Sequence, residues 1–225
     1  RGTRTDNDWL TRQEIIAETP AEANAKALDV LTKGVTSLGF RVEEPTAETV
    51  ATLLNGIDLK AVEVNFTSCP RKALELARVL VAYLKEKGAE KDFRGSIDFN
   101  PFKRALKHEA PFPGDITAMS CELLDTVKDV PALRVLSVDS NVLSNAGAYI
   151  YQELGYALAW GSQWMTMLTE AGRSADEVAA RVKFNMGVSS NFFMELAKFR
   201  AARMMWAQIV DCLLYTSPSP RDRQK

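Results

Sequence analysis

Ala61-Val62-Glu63-Val64-Asn65-Phe66, then Pro70 to Lys87, then Gly95-Ser96-Ile97-Asp98-Phe99 is the stretch whose reading decides the fold. The first run alternates valine and phenylalanine with polar residues, the period of a strand. The second places Leu74, Ala77, Val81 and Leu84 on one helical face, and Gly88 stops it. The third is another short strand. Two strands joined by a helix of this length form a crossover, and a crossover joins parallel strands.

The same alternation continues on both sides. Towards the amino terminus, Thr19-Pro20-Ala21-Glu22 supplies the N-cap, N1 proline and N3 glutamate of a capping box. It predicts a helix to about Lys33, ended by Gly34. A strand follows over Val35 to Val42, and a helix from Pro45-Thr46 through Leu54. Towards the carboxyl terminus the pattern predicts helices near Phe102 to Lys107 and over Ile116 to Val127. A strand at Arg134 to Val138 and a long helix from Asn145 to Ala171 come next. A second capping box at Ser174-Ala175-Asp176-Glu177 precedes a strand over Val182 to Val188, and the last helix covers Asn191 to Val210.

About five strands in this order predict an α/β fold, an incomplete (β/α)8 TIM barrel over residues 19–210 preceded by an N-terminal arm, residues 1–18. A complete eight-stranded barrel takes about 250 residues. Periodicity alone leaves an open doubly wound sheet as the alternative. The first residues, Arg1 to Asp8, are polar and lack an initiator methionine, which reads as a start other than the natural one. After Val210 the character changes. Residues 211–225, with Pro218 and Pro220, read as a non-native tail resembling translated sequencing-adapter read-through; a disordered native tail is the other reading.

Composition narrows the function. At 46% hydrophobic and 25% charged residues the chain is ordinary for a globular domain. A formal net charge of −1 gives no electrostatic case for nucleic acid or an anionic membrane. Ala146 to Leu168 is long and low in charge, but Gln152, Glu153, Ser162 and Gln163 interrupt it, so no membrane span is expected. Cys69, Cys121 and Cys212 are scattered, which argues against a disulfide framework or zinc site and fits a cytoplasmic protein. His108 is the only histidine, so mechanisms needing two are excluded; in Lys107-His108-Glu109 it reads as solvent-exposed.

Neither a phosphate-binding glycine loop nor a GxSxG or HExxH motif is present. From position alone the best candidate site is Asp139-Ser140-Asn141, at the carboxyl end of a strand, where barrel chemistry resides. The competing reading makes Asp139 and Asn145 turn and N-cap residues of the long helix. The aromatic residues of that helix, Tyr149, Tyr151, Tyr156, Trp160 and Trp164, are either core or anchors for a partner subunit.

Asn191-Phe192-Phe193-Met194-Glu195-Leu196-Ala197-Lys198-Phe199-Arg200-Ala201-Ala202-Arg203-Met204-Met205-Trp206 resembles the NFFMEIAKxRAARxLW helix of methylmalonyl-CoA mutases. Ala146-Gly147-Ala148 with Glu153-Leu154-Gly155-Tyr156-Ala157-Leu158 resembles their AGA…ELAY-L segment. Trp9-Leu10-Thr11-Arg12-Gln13 resembles WTIRQ, just before the first barrel strand. The resemblance runs from about Asp6 to Val210. It implies a barrel that threads the pantetheine arm of an acyl-CoA along its axis. It also implies a cobalamin domain above that barrel and radical interconversion of methylmalonyl-CoA and succinyl-CoA.

The catalytic positions depart from that pattern. Where the family has Arg-Gln-Tyr, this chain has Arg12-Gln13-Glu14. The family's GYHMQEAGA places a tyrosine and a histidine beside the thioester; Asn141 and Val142 occupy those places here. On the second strand the family carries small serines and threonines, and this chain carries Glu63 and Asn65. The Asp-x-His-x-x-Gly pattern that holds cobalamin is absent. The resemblance therefore implies the small, non-catalytic subunit of a heterodimeric mutase, with adenosylcobalamin held by the catalytic large subunit and none on this chain. Arg12, Glu63 and Asn65 are the positions of any vestigial substrate contact.

Overall fold

The computed structural model describes residues 9–108 and 112–215, which fall into two compact units. The first is Arg1–Phe99 with Thr126–Leu133; the second is Asn100–Asp125 with Arg134–Lys225.

In the first unit the chain alternates β1 (Arg12–Ile15), α1 (Pro20–Thr32), β2 (Ser37–Arg41), α2 (Ala47–Leu54), β3 (Glu63–Thr67), α3 (Ala73–Lys87) and β4 (Gly95–Phe99). Each strand pairs in parallel with the one before it, with Arg12 opposite Ser37, Ser37 opposite Glu63 and Asn65 opposite Ser96. Strand β1 is one more than the apolar runs indicated. Its sequence, Arg-Gln-Glu-Ile, has no apolar alternation, so only pairing with β2 makes it a strand, within the segment read as an arm.

The register sorts the side chains onto two faces. One is apolar, with Ile15, Leu38, Phe40, Val64, Phe66, Ile97 and Phe99 all buried. Helices α1 to α3 cover it through Ala23 and Ala27, Val50, Leu53 and Leu54, and Leu76, Leu80 and Leu84. Phe40 and Phe66 stack at 6.1 Å. Each such leucine or phenylalanine contributes roughly 1.5–3 kcal/mol by leaving water. Thr19 caps α1 by accepting from the Glu22 N–H at 3.2 Å, while Glu22 reaches the Glu18 N–H at 3.1 Å rather than that of the cap itself.

The second unit contains α4 (Pro101–His108), α5 (Ile116–Thr126), β5 (Leu133–Asp139), α6 (Asn141–Asn145), α7 (Ile150–Glu170), α8 (Ala175–Arg181), β6 (Val182–Asn185) and α9 (Phe192–Tyr215). Strands β5 and β6 are parallel, Leu136 opposite Val182 and Asp139 opposite Asn185. The long helix expected from Asn145 is broken. Asn145 ends α6, and α7 starts after Tyr149, whose N–H donates to Gln152 at 2.8 Å. Asn145 is thus not its N-cap. Strand β6 ends at Asn185, three residues short of the expected Val188, because the backbone from Gly187 onward bonds to side chains instead. Helix α9 runs five residues past Val210, since Asp211 to Tyr215 hold no breaker and the prolines come later.

Parallel strands in chain order with a helix in every crossover are the pattern of an arc of a (β/α) barrel, as expected.

Candidate functional site

The polar face of the first unit's sheet carries four of the six residues singled out in the sequence. Arg12 and Glu14 project from β1 and pair with each other at 2.6 Å. The Glu14 carboxylate lies over Gly39 of β2: a Cβ at that glycine would sit 2.2 Å from Glu14 Oε2. Glu63 and Asn65 project from β3 onto the same face. Ser37 Oγ donates to Glu63 Oε1 at 3.0 Å, and the Asn65 amide donates to Ser37 Oγ, Leu38 O and Glu63 Oε1 at 3.0, 3.3 and 3.1 Å. Ser96 Oγ of β4 closes the group by donating to Asn65 Oδ1 at 2.7 Å.

Ser37, Asn65 and Ser96 are almost fully buried. Beyond them Thr67 donates to Asp98 at 3.2 Å. The groups satisfy one another, as buried polar atoms must. Chemically the described face offers carboxylates, an amide, hydroxyls and the Arg12 guanidinium, with no imidazole or phenol to serve as general acid.

The other two residues, Asn141 and Val142, open the short helix α6 in the second unit and are half-buried. Just before them, Asp139 pairs with Lys103 of α4, and Ser140 Oγ donates to Glu153 Oε1 at 3.3 Å. Asp139 is therefore an ion-pair partner, and Lys103, which the sequence reading passed over, is brought to it by the crossover after β4. The His108 side chain lies outside the described residues. The helix aromatics divide. Trp164 is 0% exposed and donates to Ser137 O at 3.2 Å, and Trp160 is buried, whereas Tyr149, Tyr151 and Tyr156 are 70%, 67% and 61% exposed.

A buried ionic cluster also escaped the sequence reading. Lys198 of α9 pairs with Glu153 of α7 at 2.7 Å and with Glu195 at 2.6 Å, and all three side chains are nearly inaccessible. Burial alone raises the Glu195 carboxyl, but hydrogen bonds from Lys198 and Ser189 outweigh it and hold the group below the usual carboxylate range. Burial likewise lowers the Lys198 ammonium, and its bonds to Glu153 and Glu195 reverse that, leaving it raised. The available signal was spacing: Glu195 and Lys198 are three apart on a helix and face the same way.

Among the described residues no group of three or more His, Cys, Asp or Glu side chains is placed to hold a metal ion, and no helix is long and apolar enough to cross a membrane. Cys69, Cys121 and Cys212 form no disulfide. With no Asp-x-His-x-x-Gly and one histidine in the chain, the residues present do not fit a cobalamin base-exchange site.

A family model described as methylmalonyl-CoA mutase matches residues 45–218. The chain is 49% identical over 214 residues to the methylmalonyl-CoA mutase small subunit of Porphyromonas gingivalis (strain ATCC BAA-308 / W83), covering 93% of this chain and 34% of that protein. It is 29% identical over 212 residues to the small subunit of Streptomyces virginiae, covering 92% and 34%. Against the mitochondrial methylmalonyl-CoA mutase of Homo sapiens it is 30% identical over 170 residues, covering 74% and 22%. The chain spans about a third of the length of the small subunits it matches. With a match over well more than half its residues, on a parallel strand–helix frame, the chain belongs to the methylmalonyl-CoA mutase family.

Proposed function

We propose that this chain is part of the small subunit of a cobalamin-dependent methylmalonyl-CoA mutase. In this reading it is a non-catalytic barrel segment that supports a catalytic large subunit, which holds adenosylcobalamin and the acyl-CoA. The observation that carries the reading is the Ser37–Glu63–Asn65–Ser96 network. On the face that in catalytic relatives borders the substrate channel, this chain places a buried, mutually bonded polar group with an acid in it. A thioester arm entering there would have to break those bonds and desolvate the Glu63 carboxylate.

The second support is the residue chemistry at the departing positions. Val142 has no donor for a thioester oxygen, Asn141 is an amide, and Glu14 is an acid already paired with Arg12. Loss of one positioned donor lowers a rate by about 10² to 10³, and three are replaced here. A cytoplasmic setting belongs to the same proposal and draws on the scattered cysteines, none of them in a disulfide. The rival reading, an active mutase barrel with substituted groups, draws on the Lys103–Asp139 pair at the strand ends.

Absorbance titration of the full-length parent subunit with adenosylcobalamin, alone and after adding the large subunit, tests the proposal. Spectral change in proportion to the large subunit only is expected. Tight binding by the parent subunit alone decides for the rival.

A further inference from the structure

We propose that Glu153, Lys198 and Glu195 form one positioning unit that ties Ser140, at the start of the helix bearing Asn141 and Val142, to the loop 186–191, so that the two segments are held, and released, together. The inference concerns the second unit only and stands whether or not the barrel is catalytic.

Glu153 divides its two oxygens. Oε1 accepts from the Ser140 hydroxyl at 3.3 Å and from the Gly187 N–H at 2.6 Å, while Oε2 faces the Lys198 ammonium at 2.7 Å. Lys198 donates as well to the Gly187 carbonyl at 2.7 Å, so the same peptide segment is gripped from both sides. Glu195 holds the next stretch, its Oε1 accepting from the Ser189 N–H at 2.9 Å. Ser140, immediately before Asn141, also shares its hydroxyl with the Asn185 carbonyl at 3.2 Å. Two backbone N–H groups and one carbonyl of a loop without regular structure thus find their partners on three charged side chains.

Lys198 is the common node. It is the cation between two carboxylates that are 1% and 5% exposed. Without it two buried negative charges face each other, a state that the structure avoids by opening or by taking up protons. A second observation, independent of charge, joins the same segments. A Cβ built on Gly187 would lie 2.7 Å from Ser144 Oγ and 2.9 Å from Ser144 Cβ, so the loop backbone rests directly on α6.

Hydrogen exchange read by mass spectrometry on the full-length parent subunit tests the coupling in two variants. Lys198→Met removes the cation; Gly187→Ala keeps all three charges and pushes the loop off α6. In both, amides of 140–146 and 186–191 are expected to exchange at least about tenfold faster together, as a local opening does, while those of 37–41 and 63–67 keep their wild-type rates. Loosening of one segment without the other overturns the inference, as does an increase spread evenly over the subunit, which is what a merely stabilising role gives. Should Lys198→Met fail to fold, Gly187→Ala decides by the same criterion.

Discussion

Asn65→Ala probes the network on which the proposed function rests. Asn65 is 2% exposed, its two amide hydrogens are shared among three acceptors, and its carbonyl accepts from Ser96. Truncation removes two donated bonds and one accepted bond, each about 1 kcal/mol net, and strands at least one buried hydroxyl at about 1–3 kcal/mol. Water entering the space left behind offsets part of this. The expected loss is about 2–4 kcal/mol, larger than the roughly 1 kcal/mol typical of a point substitution. Urea unfolding of the full-length parent subunit, followed by circular dichroism, reads it as a lower midpoint at unchanged slope. Asn65→Ser, which keeps one polar group, should fall between the two. A loss below about 0.5 kcal/mol for Asn65→Ala would refute the reasoning, because a residue bonded to four neighbours across three strands cannot be energetically silent.

Three further outcomes follow from the packing and charge. Trp164→Ala should cost about 3–5 kcal/mol in denaturant unfolding and Tyr151→Ala less than about 0.5, since the first ring is buried and bonded and the second exposed; equal losses would contradict the division of the helix aromatics. Glu195 has a depressed carboxyl, and a depressed folded value gives stability that is present above the unfolded pKa and lost as pH falls through the folded one. The advantage of wild type over Glu195→Gln should therefore be constant above about pH 5 and shrink in acid; an advantage that grows in acid has the wrong sign. Thr19→Ala removes the cap of α1 and should cost about 1 kcal/mol by thermal unfolding, with no change expected from Thr32→Ala at the opposite end beyond a few tenths.

The frame was legible because Val62, Val64 and Phe66 alternate, and because Gly34, Gly88 and Gly172 stop helices where the periodicity lapses. What escaped has physical causes. Strand β1 is polar, so its state comes from pairing with β2, and no local signal distinguishes it from an arm. The break at 146–149 divides an almost uncharged run whose apolar residues satisfy a helical period throughout. The site positions Glu14, Glu63, Asn65, Asn141 and Val142 were found by resemblance, not by any local chemistry they advertise. The bonds of Glu63 and Asn65 to Ser37, Leu38 and Ser96 were invisible because those partners lie on neighbouring strands. The same holds for Glu153 and Lys198, 45 positions apart, which no local period brings together.

The role proposed for this barrel segment is that of part of a subunit that does no chemistry of its own. Purified full-length parent subunit, supplied with adenosylcobalamin and methylmalonyl-CoA and freed of its partner, should form no succinyl-CoA above the uncatalysed background, with activity appearing on addition of the large subunit. Formation of succinyl-CoA by the parent subunit alone, lost on mutation of Lys103 or Asp139, would contradict the account.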